Sequence, residues 1–306
     1  MAGAMHTGNF ADVIAPGFDV ILFNEYKKNP QEWPRFFNVE TMGDGQGGYI
    51  DKSYVTGLGS FVKKQEGENV AWTQALQGFD IRFTPVTYAL AFRLTEELQE
   101  DDRANIFGQR MSQALGESGA ESENVLIADV VNSGTDATVR TGGDGVCLFS
   151  ASHLYADGST WSNILAAASD VSVSAIWQMI LDMETMKDDQ GKYMTREMKP
   201  KHIFFAPAND RAMGEIFTSE KIPYSMNNET NVLRSRGIGR EKWTYMTDTD
   251  AWGIQATKHT MLVVWRKKLE TKPSDDFNTV DSMYKARFRI AFGWVKPFGV
   301  HFTPGA

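Results

Sequence analysis

The segment that most constrains the fold is residues 37–92, which predict a long β-hairpin too polar to form a core of its own. Its clearest strand has Phe79, Ile81 and Phe83 alternating with polar residues, and its middle reads GLGSFVKKQEGENVAW. Two legs of about 20 residues extend about 65 Å, whereas a globule of this length has a radius of gyration of about 20 Å. The tip is therefore expected to extend beyond its own subunit. The strand-like stretches are residues 49–56, 61–64, 70–73 and 79–92.

A long helix is predicted directly after the hairpin. Thr95 has a side chain suited to a helix N-cap, and the acidic residues that follow it suit the positive end of a helix dipole. Apolar residues then recur with helical spacing until Asn132-Ser133-Gly134, a typical C-terminal stop. The predicted helix covers residues 95–131, about 55 Å if unbroken. Gly116 and Gly119 are the positions at which it can bend.

Residues 1–37 predict an N-terminal arm rather than part of a core. Pro16, Pro30 and Pro34 interrupt any regular pattern, and only residues 18–23 favour a short helix within otherwise extended chain. Such an arm must lie against something to be ordered.

The remaining chain predicts an α/β segment followed by strands. Residues 171–187 form an amphipathic helical pattern, residues 202–206 read as a buried strand, and Pro207 opens a second helix. Strand signals return at residues 261–266. The most regular strand covers residues 284–292, where apolar and basic residues alternate.

Composition excludes several classes of protein. The net charge of −8 disfavours wrapping nucleic acid directly, because such binding depends on neutralising phosphates. The single Cys147 excludes an intramolecular disulfide framework and suits a reducing compartment. No apolar run is long enough to span a membrane, and the first residues lack the pattern of a secretory signal.

No motif in the sequence favours catalysis. Residues 43–48 match GxGxxG, but a strand-like stretch follows where a dinucleotide site needs a helix. The five histidines are far apart and show no metal-ligand spacing. Ser152 and His153 are adjacent in one loop, an arrangement that rarely aligns a nucleophile with its base, so a hydrogen-bonding role for His153 is preferred. We therefore expect no catalytic, cofactor-binding or metal-binding residues.

The order of arm, hairpin, acid-capped helix, α/β segment and returning strands resembles the major capsid proteins of tailed bacteriophages, which have the Hong Kong 97 fold. FTPVTYAL at residues 83–90, followed by LTEELQED at 94–101, is similar to the family's passage from E-loop strand to spine helix. FSASH at residues 149–153 and the terminal stretch at 284–294 resemble the Mu-like major head subunit group more specifically. The likeness covers nearly the whole chain.

The resemblance implies an α+β, Hong Kong 97-like fold in five segments. These are an N-terminal arm at residues 1–37, an E-loop hairpin and its base at 38–92, a peripheral domain with the spine helix at 93–167, an axial α/β domain at 168–260, and C-terminal strands that return to the peripheral domain at 261–306.

The resemblance also implies a structural protein of the virion rather than an enzyme. Copies of the chain would assemble as hexamers and pentamers into an icosahedral shell around double-stranded phage DNA, in the cytoplasm of a bacterial host. The implied partners are further copies, scaffolding, portal and decoration proteins, and DNA held non-specifically on the inner face, without a cofactor or a membrane. A cleaved N-terminal scaffolding segment is not expected.

Interlocking of E-loops and N-arms is the implied mechanism of assembly. Charges near the hairpin tip suit a strand edge that must avoid aggregation, and an aromatic anchor beside them suits burial by a partner. The predicted contact residues are Lys63, Lys64, Glu66 and Trp72 in the E-loop and Phe10, Phe18 and Phe23 in the N-arm.

Two alternatives remain at this stage. An encapsulin-like nanocompartment would use the same fold to enclose protein cargo. A hydrolase with a dispersed active site belongs to another class, and persistent monomers with turnover would distinguish it from either shell.

Overall fold

The computed structural model describes residues 11–43, 45, 47–101, 106–223, 226, 229–275 and 281–306. Helices and mainly antiparallel sheets are combined in it, as expected for an α+β fold. Its α-helices are α1 (Ala11–Lys28), α2 (Glu96–Asp101), α3 (Ile106–Asn132), α4 (Val173–Glu184) and α5 (Asp210–Thr218). Its strands are β1 (Asn38–Thr41), β2 (Ile50–Val55), β3 (Gln77–Phe83), β4 (Val86–Leu94), β5 (His153–Leu154), β6 (Thr160–Trp161), β7 (Pro200–Phe205), β8 (Gly239–Lys242), β9 (Trp252–Ala256), β10 (Met261–Asp275), β11 (Ser282–Trp294) and β12 (Val300–Thr303).

Sheet I has the strand order β1-β10-β11-β4 and is built around the long antiparallel ribbon of β10 and β11. Strand β4 pairs antiparallel with β11, and β1 pairs in parallel with β10. In β11, Tyr284, Phe288 and Ile290 are buried, whereas Lys285 is exposed. Phe288 and Ile290 share an apolar cluster with Ile127 of α3. The alternation predicted for this strand is therefore confirmed.

Sheet II has the strand order β12-β9-β7-β8 and carries α4 on one face. Ser172 caps α4 by accepting a hydrogen bond from the Ala175 N–H at 3.2 Å, and the predicted apolar face of this helix is buried. The final strand departs from the sequence-based expectation that the C-terminal strands return to one domain. β10 and β11 lie in sheet I, but β12 pairs with β9 in sheet II, where all four of its residues are buried.

The predicted hairpin of residues 38–92 is divided between two sheets. Only β2 and β3 form the antiparallel hairpin, while β1 and β4 belong to sheet I. Residues 61–64 and 70–73 were expected as strands but have no strand structure, so residues 56–76, here called the loop tip, form an irregular extended loop. Among the described residues of one subunit, the loop tip has no adjacent strand with which to form a ladder.

The N-terminal segment is helical where extended chain was predicted. Helix α1 covers Ala11–Lys28 and continues past Pro16, which was expected to interrupt it. Leu22 is fully buried in a cluster with Leu115 of α3 and Tyr284 of β11. This burial against distant elements offsets the low helix propensity of proline, which a local pattern weighs too heavily.

The predicted spine helix is present as two described pieces, α2 and α3. Thr95 acts as expected, because its Oγ1 accepts the N–H of Leu98 at 3.4 Å. Residues 102–105 lie outside the described residues. Helix α3 is continuous through Gly116 and Gly119, so neither glycine ends it.

A shared apolar core joins the two large sheets. Phe36 stacks on Trp243 with ring centroids 4.4 Å apart, and Phe149 stacks on Phe302 at 4.3 Å. The cluster also contains Ile127 from α3 and side chains from both sheets. None of the helices described here has the length and apolar character needed to cross a membrane.

Candidate functional site

The loop tip exposes several large apolar side chains to solvent. Phe61 and Trp72 are 109% and 94% exposed, and Val62 and Val70 lie between them in sequence and are also exposed. Exposed apolar residues are ordinary when scattered, but a group of them on one projecting loop marks a surface for a partner. The loop tip is therefore the first candidate site of contact.

The structure places the four predicted E-loop residues on this same loop. Lys63, Lys64 and Glu66 are exposed and have no ion-pair partner among the described residues. Trp72 is exposed as expected for an anchor that its own subunit does not bury. The sequence analysis did not include Phe61 among the contact residues. An aromatic residue within a run of glycine and charged residues was the pattern that could have identified it.

The base of the loop is fixed firmly to its own subunit. Tyr54 of β2 lies over Gly78 of β3, where any side chain would overlap the tyrosine ring. The Nζ atom of Lys296 lies 4.2 Å from the centre of the Tyr54 ring and 3.6 Å from that of Phe298. The same atom is 2.5 Å from Oδ2 of Asp189, and both charged side chains are nearly buried.

The pairing with Asp189 favours the charged form of Lys296. Burial lowers the pKa of Lys296, and the neighbouring Asp189 carboxylate opposes that effect. Removing one member of a buried ion pair costs about 3–5 kcal/mol, because the other charge is left without compensation. The pair therefore keeps the Lys296 ammonium against the ring of Tyr54, which lies in β2 at the base of the loop.

A second attachment lies further along the loop. The Lys192 ammonium donates a hydrogen bond to the Leu58 carbonyl, and Gln190 Nε2 donates to Thr56 Oγ1 at 3.4 Å. The Thr56 N–H and the Leu76 carbonyl close the loop at 2.8 Å. Beyond these contacts, Phe61, Val62, Val70 and Trp72 are exposed to solvent.

The predicted N-arm residues contact their own subunit. Phe18 meets the ring of Tyr284 edge-on at 6.0 Å, and both Phe18 and Phe23 pack against the cluster around Leu22. Phe10 lies outside the described residues. Phe18 and Phe23 are half-buried, so part of each ring stays accessible.

The interface between α1 and α3 is close and contains a buried carboxyl group. Gly116 brings α3 to within contact of the α1 backbone, because a Cβ atom there would lie 2.5 Å from the Leu22 carbonyl oxygen. Tyr26 donates its hydroxyl hydrogen to Glu123, with both carboxylate oxygens at 2.7 Å, and Gln31 Nε2 donates to the same group at 2.9 Å. Burial raises the pKa of Glu123 to about 7.

An apolar groove of about 520 Å³ lies between α3 and the edge of sheet I. Leu90 of the edge strand β4 and Val125 of α3 are each about half exposed along it. This groove adds a second apolar surface to that of the loop tip.

The structure does not assemble the Ser–His arrangement considered from the sequence. His153 is fully buried, with Nδ1 2.7 Å from Asp144 Oδ2 and Nε2 3.2 Å from Asn163 Oδ1. Ser152 Oγ faces Ser150 instead of the imidazole. Hydrogen bonds to structural partners thus account for His153. Across the described ranges no three His, Cys, Asp or Glu side chains are grouped to hold a metal ion.

Solved structures of similar fold come from capsids and related particles. A virus-like particle from Pyrococcus furiosus has a TM-score of 0.52 at 12% identity, over 94% of this chain and 97% of that one. The mature capsid of bacteriophage PhiM1 has a TM-score of 0.54 at 13% identity, over 88% and 85%. The structure of Microbacterium phage Oxtober96 has a TM-score of 0.52 at 12% identity, over 91% and 92%. At these identities the likeness concerns the fold, and the predicted Hong Kong 97-like fold is confirmed.

Sequence comparison identifies the family. Curated protein sequences give no match to this chain. In contrast, the sequence model of a family described as phage capsid protein matches residues 78–301, well over half of the 306 residues. The matched region includes β3 from its second residue, the α2–α3 segment and all but the end of sheet II. The chain belongs to the phage capsid protein family.

Proposed function

We propose that this chain is the major capsid protein of a tailed phage and builds an icosahedral shell around double-stranded DNA by interlocking with copies of itself. The observation that carries the mechanism is the loop tip, where Phe61 and Trp72 are fully exposed on a loop whose base is fixed by Lys296 and Asp189. A rigid base with an unburied apolar tip is the arrangement expected of an element that contacts a neighbour.

We assign to the segments of the fold the roles implied by the resemblance to phage capsid proteins. Sheet I with α3 corresponds to the peripheral domain, and sheet II with α4 corresponds to the axial domain around the five- and six-fold axes. The boundaries proposed are residues 93–167 and 168–260, with β12 assigned to sheet II. Phe18 and Phe23 anchor α1 to its own subunit, and their accessible edges, together with Phe10, are proposed to contact a neighbour.

The free energy from burying one loop tip is too small to hold a shell together, so several contacts between subunits must contribute. Burying a large apolar side chain stabilises a complex by about 1.5–3 kcal/mol. Burial of Phe61, Val62, Val70 and Trp72 by a neighbour therefore supplies a moderate gain for each loop. Obligate interfaces of shells typically bury about 2,000–5,000 Å², so the loop must act together with other surfaces, such as the groove between α3 and β4.

The proposed partners follow from this role. The shell would contain hexamers and pentamers of this chain, with scaffolding, portal and decoration proteins added, and DNA held non-specifically at its inner face. We place assembly in the cytoplasm of a bacterial host and the product in the virion. Within the family, the motifs at residues 149–153 and 284–294 support the Mu-like head subunit group, and the structural role leaves the chain without catalytic activity.

The encapsulin-like alternative has less support. The family model that matches residues 78–301 is that of phage capsid proteins. Electron microscopy of purified particles distinguishes the two, because DNA-filled heads indicate a capsid whereas small shells with protein cargo indicate a nanocompartment.

The test removes the apolar character of the loop tip. The variant Phe61→Ser/Trp72→Ser, and separately a deletion of residues 63–70, are expected to give folded, soluble subunits that form no stable shells by sedimentation and electron microscopy. The control is Leu181→Ser, which removes a half-exposed apolar side chain from the outer face of α4. Normal shells from the loop variants would refute the interlocking role, and a wild-type chain that stays monomeric would refute the capsid function itself.

A further inference from the structure

One half of sheet I has a face that no other described element covers. Helix α3 packs against the face that contains Tyr284 and Phe288. On the opposite face, β2 and β3 cover the end of the ribbon around Val264 and Ala291. Towards the other end of the β10–β11 ribbon, at Asp275 and Ser282, no described helix or strand covers this second face. This uncovered part of sheet I is named the open face.

The open face concentrates positive charge in a chain whose net charge is −8. Cross-strand partners point to the same side of a sheet, so the strand register assigns the side chains. Arg289 is opposite Lys267, Arg287 is opposite Glu270, and Lys285 is opposite Lys272. The cations of the open face are Arg93, Lys267, Lys272, Lys285, Arg287 and Arg289.

Only some of these cations are neutralised within the subunit. Glu270 pairs with Arg287 at 2.5 Å and with Lys267 at 3.5 Å, and Asp281 pairs with Arg93 at 3.3 Å. Lys272 and Lys285 have no anionic partner among the described residues, and both are exposed.

The placement of Lys272 and Lys285 is unfavourable in an isolated subunit. They are direct cross-strand partners, and like charges in such positions destabilise a sheet. This repulsion is relieved when an anionic group covers the two exposed ammonium groups.

The same end of the subunit also presents an acidic element. Helix α2 begins two residues after β4 ends at Leu94, and Leu94 pairs with Ser282 at the end of the ribbon. Its sequence, EELQED, contains four acidic residues and no basic one. Glu97 and Asp101 are exposed there and have no cationic partner among the described residues.

We propose that the open face of sheet I binds α2 of a second copy of this chain. A basic face and an acidic helix on one subunit are complementary between copies, so they favour head-to-tail contacts, which form a ring where the rotation between copies closes. Beside Lys285 and Arg287, the edge strand carries Ala91 and Ala89, whose small side chains leave room to seat a helix. The loop tip is the poorer match in charge, because Lys63 and Lys64 offset its acids. This contact rests on the proposed shell function and adds a charge-based contact to the apolar one.

Charge reversal tests the pairing directly. The variant Lys272→Glu/Lys285→Glu is expected to lower the assembled fraction about tenfold at low salt, because like charges now face each other. The variant Glu97→Lys/Asp101→Lys should show the same loss, and the combination of all four changes should restore assembly. Wild-type assembly should weaken as salt rises above about 0.15 M, since exposed charges are then screened. The control is Lys199→Glu/Lys221→Glu, an equal change of charge at exposed lysines away from sheet I.

Each outcome separates this inference from the shell function. Restored assembly in the fourfold variant supports the pairing of the open face with α2. Wild-type shells together with undiminished shells from Lys272→Glu/Lys285→Glu overturn the pairing and leave the capsid function standing. Normal shells that contain less DNA overturn it in favour of phosphate binding at this face. A wild-type chain that never associates refutes both.

Discussion

Gly116 is the position where one methyl group has the most informative effect on this fold. In the middle of a helix, replacing glycine by alanine normally stabilises a protein by about 1 kcal/mol. At Gly116, however, the new Cβ atom would lie 2.5 Å from the Leu22 carbonyl oxygen and 3.3 Å from the Tyr26 nitrogen, both in the backbone of α1. Backbone atoms have no rotamer change by which to avoid this contact, so the two helices must separate.

The size of the effect follows from that separation. Real Cβ atoms essentially never approach a neighbour closer than 3.0 Å, so a contact of 2.5 Å must lengthen by at least 0.5 Å. A gap of 0.5–1 Å loses about a quarter to a half of the dispersion attraction, and overpacking adds about 1–3 kcal/mol. After subtracting the gain in helix propensity, Gly116→Ala is expected to lower the free energy of unfolding by about 1–2 kcal/mol.

Gly119 provides the matched control on the same helix. A Cβ atom there would lie 3.5 Å from Leu269 Cδ2 and 3.7 Å from Tyr26 Cδ2, which is ordinary van der Waals contact. Gly119→Ala should therefore stabilise the chain by up to about 1 kcal/mol. Urea unfolding of the unassembled subunit, followed by tryptophan fluorescence, measures both variants. Equal stability of the two would show that the close approach of α1 to α3 does not govern the response.

Two further predictions concern pH. Glu123 binds its proton more tightly in the folded chain, where its pKa is about 7, than in the unfolded chain, so its contribution to stability is complete below pH 4.5 and declines as the pH rises to about 7. The variant Glu123→Gln should remove this decline and should be more stable than the wild type at pH 8, by up to about 3 kcal/mol. Urea titrations at pH 5 and pH 8 measure the difference. Burial lowers the pKa of His301 to about 4, so the contribution of this side chain to stability is complete above pH 6.5 and declines as the pH falls to about 4. The variant His301→Leu should move the midpoint of acid unfolding to lower pH. An unchanged midpoint would contradict this assignment.

The sequence patterns that predicted the fold correctly are those that depend on local periodicity. The alternation around Phe288 identified β11, because one face of a strand is buried along its whole length. The helical spacing of Ile176, Met179 and Met183 identified α4 and its buried face. The polar, glycine-rich stretch before Trp72 identified a projecting loop, although the structure has no strands at the tip itself.

The parts that could not be predicted depend on contacts between distant residues. Strand β1 joins β10 in parallel across more than 220 residues, with Asn38 opposite Leu262, and no local pattern encodes that choice. Helix α1 forms in spite of Pro16 because Leu22 is buried against α3, about 90 residues away in the chain. The role of Gly116 was interpreted as a bend, whereas the structure uses it for close packing between helices.

The contact surfaces of this subunit suit a closed shell better than a pair of subunits. Association of two proteins loses about 4–15 kcal/mol of translational and rotational freedom, and a loop tip with Phe61 and Trp72 as its main anchors recovers only part of that. In the proposed shell, each subunit would both give a loop and receive one, so later contacts would form at a high effective concentration. The firm attachment of the loop base through Lys296 and Asp189 lowers the remaining cost, because the loop is already oriented before it meets a neighbour. Modest individual contacts thus become a stable assembly only when the arrangement closes.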